Sequence, residues 1–195
     1  VCTIPLSILS QMEITVSNAM QEAIYAIPYE ASVKVGLQFK RRFWEQDDQI
    51  YGGVSHTSTP LRLISYPSTE YGSPGKGVLL GCYLFGPNAY EVTAMTPKER
   101  INMAVHYGAM LHPQYPKEFE NGVSVGWHRV PFVNGCFANY PLGMREKHYK
   151  TLCGIDGRIV LAGEHASRLF AWQEGAVLSA LDAIKRLHAK IKATV

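Results

Sequence analysis

One stretch near the end of the chain constrains its fold most: Arg158-Ile159-Val160-Leu161-Ala162-Gly163-Glu164-His165, then Phe170-Ala171-Trp172-Gln173-Glu174-Gly175-Ala176-Val177. The short apolar run from Ile159 to Ala162, bounded by polar and glycine residues, reads as a buried strand. Beyond the loop, Val177, Ala180, Leu181, Ile184, Leu187 and Ile191 recur at helical spacing, so that face of a long helix is expected to pack inward. The helix is expected to start near Gln173 or Gly175. Its first turn presents backbone N–H groups without intrahelical partners and a partial positive charge. Gly175 has no side chain to block a ligand there. A strand, a Gly-Glu corner and a helix N-terminus together suit an electron-rich ligand, although many α/β proteins share that logic.

The chain has 195 residues, enough for a sizeable core in one or two domains. Its 47% hydrophobic and 18% charged content is that of a globular protein, not a disordered one. A net charge of +3, scattered along the chain, is too small to argue for nucleic acid. The one basic run, Lys40-Arg41-Arg42, reads as a solvated strand end. No apolar run approaches the roughly 18 residues of a membrane-spanning helix, so no membrane is expected. Val1 to Leu6 lacks the basic start of a secretion signal. The cysteines, Cys2, Cys82, Cys136 and Cys153, form no C-x-x-C pair, which argues against zinc or a redox dithiol. The histidines lack ligand spacing, and no metal is assigned.

Along the chain, residues 1–10 read as a strand end and turn in which Pro5 stops any helix. Met20, Ala23, Ile24 and Ile27 mark a helix ended by Pro28. Val33, Val35, Leu37 and Phe39 alternate with smaller or polar residues, a half-buried strand that turns Lys34 to the opposite face. By pattern alone Lys34 is an ordinary exposed strand lysine. Strand patterns at Ile50-Tyr51, Leu61 to Tyr66 and Val78 to Phe85, punctuated by Pro60, Pro67, Gly72, Pro74 and Gly75, predict an antiparallel sheet. Tyr83 in that sheet reads as a core aromatic with a satisfied hydroxyl. Thr96-Pro97-Lys98-Glu99 opens a helix as N-cap, first-turn proline and capping glutamate, running to about Leu111. Gly122 to Trp127 is a further strand, and Arg145 to Lys150 a polar connection.

Ala-Gly-Glu-His-x-Ser followed by Trp-Gln-Glu-Gly-Ala-Val resembles the C-terminal FAD-binding segment of the flavin amine oxidase family, and within it most resembles the L-amino-acid oxidases. The resemblance implies an α/β fold. It comprises the C-terminal part of a Rossmann-like FAD-binding domain (1–10 and 141–195) and a mixed antiparallel-sheet substrate-binding domain (11–140). It implies that Gly163 and Glu164 hold the ribityl or pyrophosphate region of FAD, and that Trp172, Gln173, Gly175, Ala176 and Val177 face the flavin. Lys-Val-x-Leu-x-Phe-x-x-x-Phe-Trp resembles the family strand whose lysine holds a water near flavin N5, which would make Lys34 catalytic, its pKa lowered by desolvation. Gly81-Cys82-Tyr83-Leu84-Phe85-Gly86 resembles the segment whose tyrosine binds the substrate carboxylate, a task a buried phenol can perform. Trp127, eight residues and a cysteine before Phe137, resembles the segment beside the flavin. On this basis Trp127 packs on the cofactor, and Phe137 and Trp172 form an aromatic pair at the substrate. A cysteine at the Cys136 position bonds FAD covalently in the monoamine oxidases, so Cys136 joins the cofactor set.

No GxGxxG turn opens a helix anywhere in the chain. Thr3-Ile4-Pro5-Leu6-Ser7-Ile8-Leu9 resembles a T-x-P-L-x-x-L segment that lies late in the full-length enzymes. The expectation is therefore the C-terminal portion of a longer enzyme, matured by proteolysis or split, with another chain of a hetero-oligomer supplying the dinucleotide-binding half. The implied reaction removes the Cα hydrogen of an L-amino acid as hydride, and ends in a 2-oxo acid, ammonia and, from dioxygen, hydrogen peroxide. A polyamine or monoamine oxidase, an amino-acid 2-monooxygenase, and a non-catalytic binding scaffold are the alternatives.

Overall fold

A computed structural model describes residues 1–193. In chain order the elements are α1 (Leu6–Leu9), α2 (Asn18–Ala26), β1 (Ser32–Phe39), α3 (Phe43–Gln46), β2 (Gly53–His56), β3 (Leu63–Tyr66) and β4 (Gly77–Phe85). There follow α4 (Gly86–Thr93), α5 (Pro97–Gly108), α6 (Tyr115–Glu118), β5 (Phe119–Gly126), α7 (Met144–Leu152), β6 (Ile155–Asp156), β7 (Ile159–Val160) and α8 (Gln173–Lys192). Among the described residues no helix is long and apolar enough to cross a membrane.

The chain divides into two compact units, residues 1–30 with 128–195, and residues 31–127. Residues 11–30 and 128–140, grouped with the substrate-binding part on sequence, lie in the first unit. The reason is packing: Met20, Ala23 and Ile24 of α2 share a core with Leu6, Leu9, Ala138, Leu152 and Leu161.

The second unit is a five-stranded sheet in the order β2-β3-β4-β1-β5, with every pairing antiparallel, as the strand pattern predicts. β1 is central. Its alternating burial puts Val33, Val35, Leu37 and Phe39 in the core with Leu79, Leu84 and Ala104, while Lys34, Gly36 and Gln38 take the other face. Phe39, Phe43, Trp44 and Tyr115 close the core in edge-to-face and tilted pairs, with ring centroids 4.7–6.2 Å apart. The helix start at Thr96 is a complete capping box: Thr96 Oγ1 accepts from the Glu99 N–H, and Glu99 accepts from the Thr96 N–H. The strand expected at Ile50-Tyr51 forms instead three residues later, as β2. α4 has no apolar periodicity strong enough to foretell it; Pro87 in its first turn is its one local signal.

In the first unit, β6 and β7 form a hairpin, and Cys2 adds a parallel bridge to Leu161: its N–H donates to Val160 O at 2.8 Å, and its carbonyl accepts from Ala162 N at 2.9 Å. Two expectations fail here. Pro5 does not stop a helix but precedes one, because proline is tolerated where the N–H has no helical partner. The polar stretch 145–150 is helical, α7 burying His148 and Leu152.

The inward face of α8 also differs from the expected one. Gly175, Ser179 and Ala183 are buried, whereas Val177, Leu181, Ile184 and Ile191 are each more than half exposed. The helix approaches the Gly163–Ala166 turn so closely that the Gly163 N–H donates to Ser179 Oγ at 3.2 Å, and only small side chains fit that contact.

Candidate functional site

The corner after β7 is built around Gly163. Its φ of 146° lies in a region that L side chains rarely adopt, and a Cβ there would stand 2.6 Å from Cε1 of His165. The next residue, Glu164, opens a short 3-10 turn and uses both carboxylate oxygens on backbone: Oε1 accepts from Ala138 N at 2.8 Å and Oε2 from Ala171 N at 2.9 Å. Each oxygen keeps a second lone-pair direction. His165 is buried, its Nδ1 3.2 Å from the Tyr29 hydroxyl, and its carbonyl accepts from the Tyr140 hydroxyl. Burial pushes the imidazole pKa down to about 4 and raises those of the Tyr29 and Tyr140 phenols.

α8 begins at Gln173, as expected. Its N-cap, Trp172, is extended, and no side chain caps the first turn. The reason given on sequence for Gly175 is corrected. Its missing Cβ makes room for the protein's own backbone, since a Cβ would lie 1.8 Å from the Leu169 carbonyl oxygen. Gln173 and Val177 are exposed and Ala176 half-buried, so the turn remains accessible beside that packed glycine. Trp172 is 71% exposed. The expected Phe137–Trp172 pair does not form: Phe137 meets Phe170, with centroids 6.4 Å apart, because the extended backbone at 172 turns the indole to solvent. Cys136, half-buried and in no disulfide, donates its thiol hydrogen to the Glu30 carbonyl at 3.1 Å.

Sequence reasoning missed Arg145. Its guanidinium lies 4.5 Å from the Tyr140 ring centroid and 4.6 Å from that of Phe170, and donates to Ser167 O at 3.3 Å. It thereby ties α7 to the loop that leads into α8. A lone arginine in a polar run gives no sequence signal of that task.

In the second unit, Lys34 and Tyr83 are cross-strand neighbours on β1 and β4, and the ammonium lies 4.7 Å from the centroid of the tyrosine ring. Gly36 and Gly122 leave a shallow hollow of about 140 Å³ on the sheet, with Gln38, Val78, Asn121 and Val123 at its sides. Trp127, half-buried, starts a 3-10 turn where β5 ends.

The sequence profile of the flavin containing amine oxidoreductases matches residues 1–187. The chain belongs to that family. An L-amino-acid oxidase from Siganus canaliculatus is 33% identical over 178 residues, covering 90% of this chain and 34% of its own length. The flavin-dependent L-tryptophan oxidase RebO from Lentzea aerocolonigenes is 32% identical over 195 residues, covering 96% and 41%. A solved putrescine oxidase mutant shares the fold, with a TM-score of 0.80 and 16% identity over 99% of this chain and 42% of the other. The chain thus spans between about a third and two fifths of the length of these three proteins. The family cofactor is FAD. The corner fits such a group on its own terms: a helix N-terminus without a side-chain cap offers donors and partial positive charge to an electron-rich ligand.

Proposed function

We propose that this chain is the C-terminal portion of an FAD-dependent L-amino-acid oxidase, converting an L-amino acid and dioxygen to a 2-oxo acid, ammonia and hydrogen peroxide. The observation that supports it is identity of 32–33% to L-amino-acid oxidases across at least 90% of the chain.

FAD, when bound, supplies the two-electron acceptor that dioxygen restores. The rest is work for this chain's residues. Gly163, Glu164 and the first turn of α8 (Gln173, Gly175, Ala176 and Val177) hold the cofactor. Cys136 and Trp127 belong to the same set, Trp127 as an apolar surface. Tyr83 donates its hydroxyl hydrogen to the substrate carboxylate, Phe137 and Trp172 flank the substrate, and Lys34 holds a water and moves its proton. Alignment of the reacting carbon is the main task, because orientation supplies much of the barrier reduction in such transfers.

The proposal includes a partner surface. Polypeptide outside these 195 residues brings the glycine-rich turn that grips the dinucleotide. The exposed stripe Val177, Leu178, Leu181 and Ile184 on α8 is the kind of apolar surface such a partner covers.

The test is a panel of L-amino acids and matched amines lacking the carboxylate, assayed for peroxide with the complete protein. Peroxide from amino acids alone is expected. Preference for amines would make it an amine oxidase, a carboxamide product a monooxygenase, and a preparation without flavin absorption a binding scaffold. The intact mass of the active species reads whether the glycine-rich turn is on the same polypeptide or another.

A further inference from the structure

We infer that Tyr83 is a positioning residue for Lys34, and that it acts through its ring. The inference rests on the proposed role of Lys34. β1 and β4 pair with Lys34 opposite Tyr83, which brings the ammonium 4.7 Å from the ring centroid. Among the described residues the Lys34 ammonium has no carboxylate partner and no hydrogen bond; the face of the Tyr83 ring is its one polar contact. The ring is itself braced, tilted 47° against Phe85 with centroids 4.4 Å apart. Opposite Lys34 on β5 stands Val125, which offers no competing charge.

A lysine on a four-carbon stem, standing on a half-exposed strand face, samples many rotamers unless something holds its end. A carboxylate would hold it and also occupy its donors. The ring face attracts the cation through its quadrupole and accepts no conventional hydrogen bond. The N–H donors of Lys34 that are turned away from the ring therefore remain available for a water, while the nitrogen is confined to one side of the sheet. The hydroxyl of Tyr83 takes no part in this, so ring and hydroxyl can be separated by substitution.

The experiment uses the complete FAD-loaded protein with Tyr83→Phe, Tyr83→Leu, Tyr83→Ile and Lys34→Met. Two quantities are read: the acylation rate of Lys34, by mass spectrometry of its peptide, and the rate constant for reoxidation of the reduced flavin by dioxygen. With Tyr83→Leu, acylation rises and reoxidation falls, each by about fivefold. Tyr83→Ile, suited to a strand, gives the same result if the leucine variant does not fold. Tyr83→Phe restores both values, whatever it does to KM for the amino acid. Equal acylation in the wild type and the aliphatic variants would overturn the inference, and so would a phenylalanine variant that behaves like leucine. If Lys34→Met reoxidises as fast as the wild type, the proposed role of Lys34 fails instead, and the acylation rates still decide whether the ring holds the lysine.

Discussion

Glu164 Oε2 accepts a hydrogen bond from the backbone N–H of Ala171, 2.9 Å away, and Ala171 sits at a φ of 65°. A non-glycine residue in that region carries a steric cost of roughly 1–2 kcal/mol, so something must hold it there. Glu164 does so while its other oxygen holds Ala138. One carboxylate therefore shapes both the loop entering α8 and the segment that carries Cys136 and Phe137. Whatever Glu164 contributes to a cofactor, it first holds these two backbone segments in place.

Glu164→Ala removes both acceptors and leaves two N–H groups to find water, at a cost of about 1–3 kcal/mol in total, since the Ala171 end is solvent-exposed. The expected outcome is weaker FAD retention in the complete protein, read from fluorescence of released flavin. Glu164→Gln, which keeps one acceptor oxygen, falls between the two. Ala171→Gly in the alanine background recovers part of the loss by relieving the left-handed backbone. No recovery would mean that the carboxylate acts on the ligand alone.

Gly175→Ala tests the close packing of α8. Its Cβ would stand 1.8 Å from a backbone carbonyl, so the helix start or the Leu169 peptide must shift. Overpacking of this kind costs about 1–3 kcal/mol or more. A lowered denaturation midpoint, with faster amide exchange in residues 173–177, is expected. An unchanged midpoint would show that the loop yields freely.

Much of the fold is legible because the signals are local. Alternation in Val33 to Phe39 fixes which face of β1 is core, and the Thr96-Pro97-Lys98-Glu99 sequence sets the start of α5 through hydrogen bonds made within four residues. The failures have the opposite character. Periodicity marks the apolar stripe of α8, but the buried stripe is the one with the smallest residues, because close approach to Gly163 decides it. Arg145 and His165 draw their roles from Tyr140, Phe170 and Tyr29, partners with which no spacing pattern connects them. The first turn of α8 is where sequence and structure agree on position. They disagree on the purpose of Gly175, because a glycine looks the same whether ligand or backbone fills its missing Cβ.

Cys136 offers its thiol hydrogen to the Glu30 carbonyl, and its backbone N–H bonds the same oxygen. A thiol held as a donor is in its protonated, less nucleophilic form. The expected outcome is that FAD leaves the complete protein on denaturation, and that the intact mass carries no flavin. Cys136→Ser keeps a donor for Glu30 and retains the flavin. A mass increase of one FAD on the Cys136 peptide would instead make this residue the covalent anchor.

His165 predicts a pH dependence with a definite sign. The buried ring has one polar neighbour, the Tyr29 hydroxyl 3.2 Å from its Nδ1, while its Nε2 has no hydrogen-bond partner among the described residues. Protonating the imidazole would place a charge on a buried ring, which is why the folded pKa lies near 4 against an ordinary 6.5. The unfolded chain therefore binds the extra proton first. The stabilisation is fully present above about pH 6.5 and is lost as pH falls through 4, amounting to about 3 kcal/mol at the acid end. In denaturation series between pH 7 and 4, His165→Phe should lose less stability on acidification than the wild type, even though its stability at pH 7 is lower for want of the Tyr29 bond. Parallel curves for the two proteins would show that the imidazole does not titrate on unfolding and would remove it from the acid response.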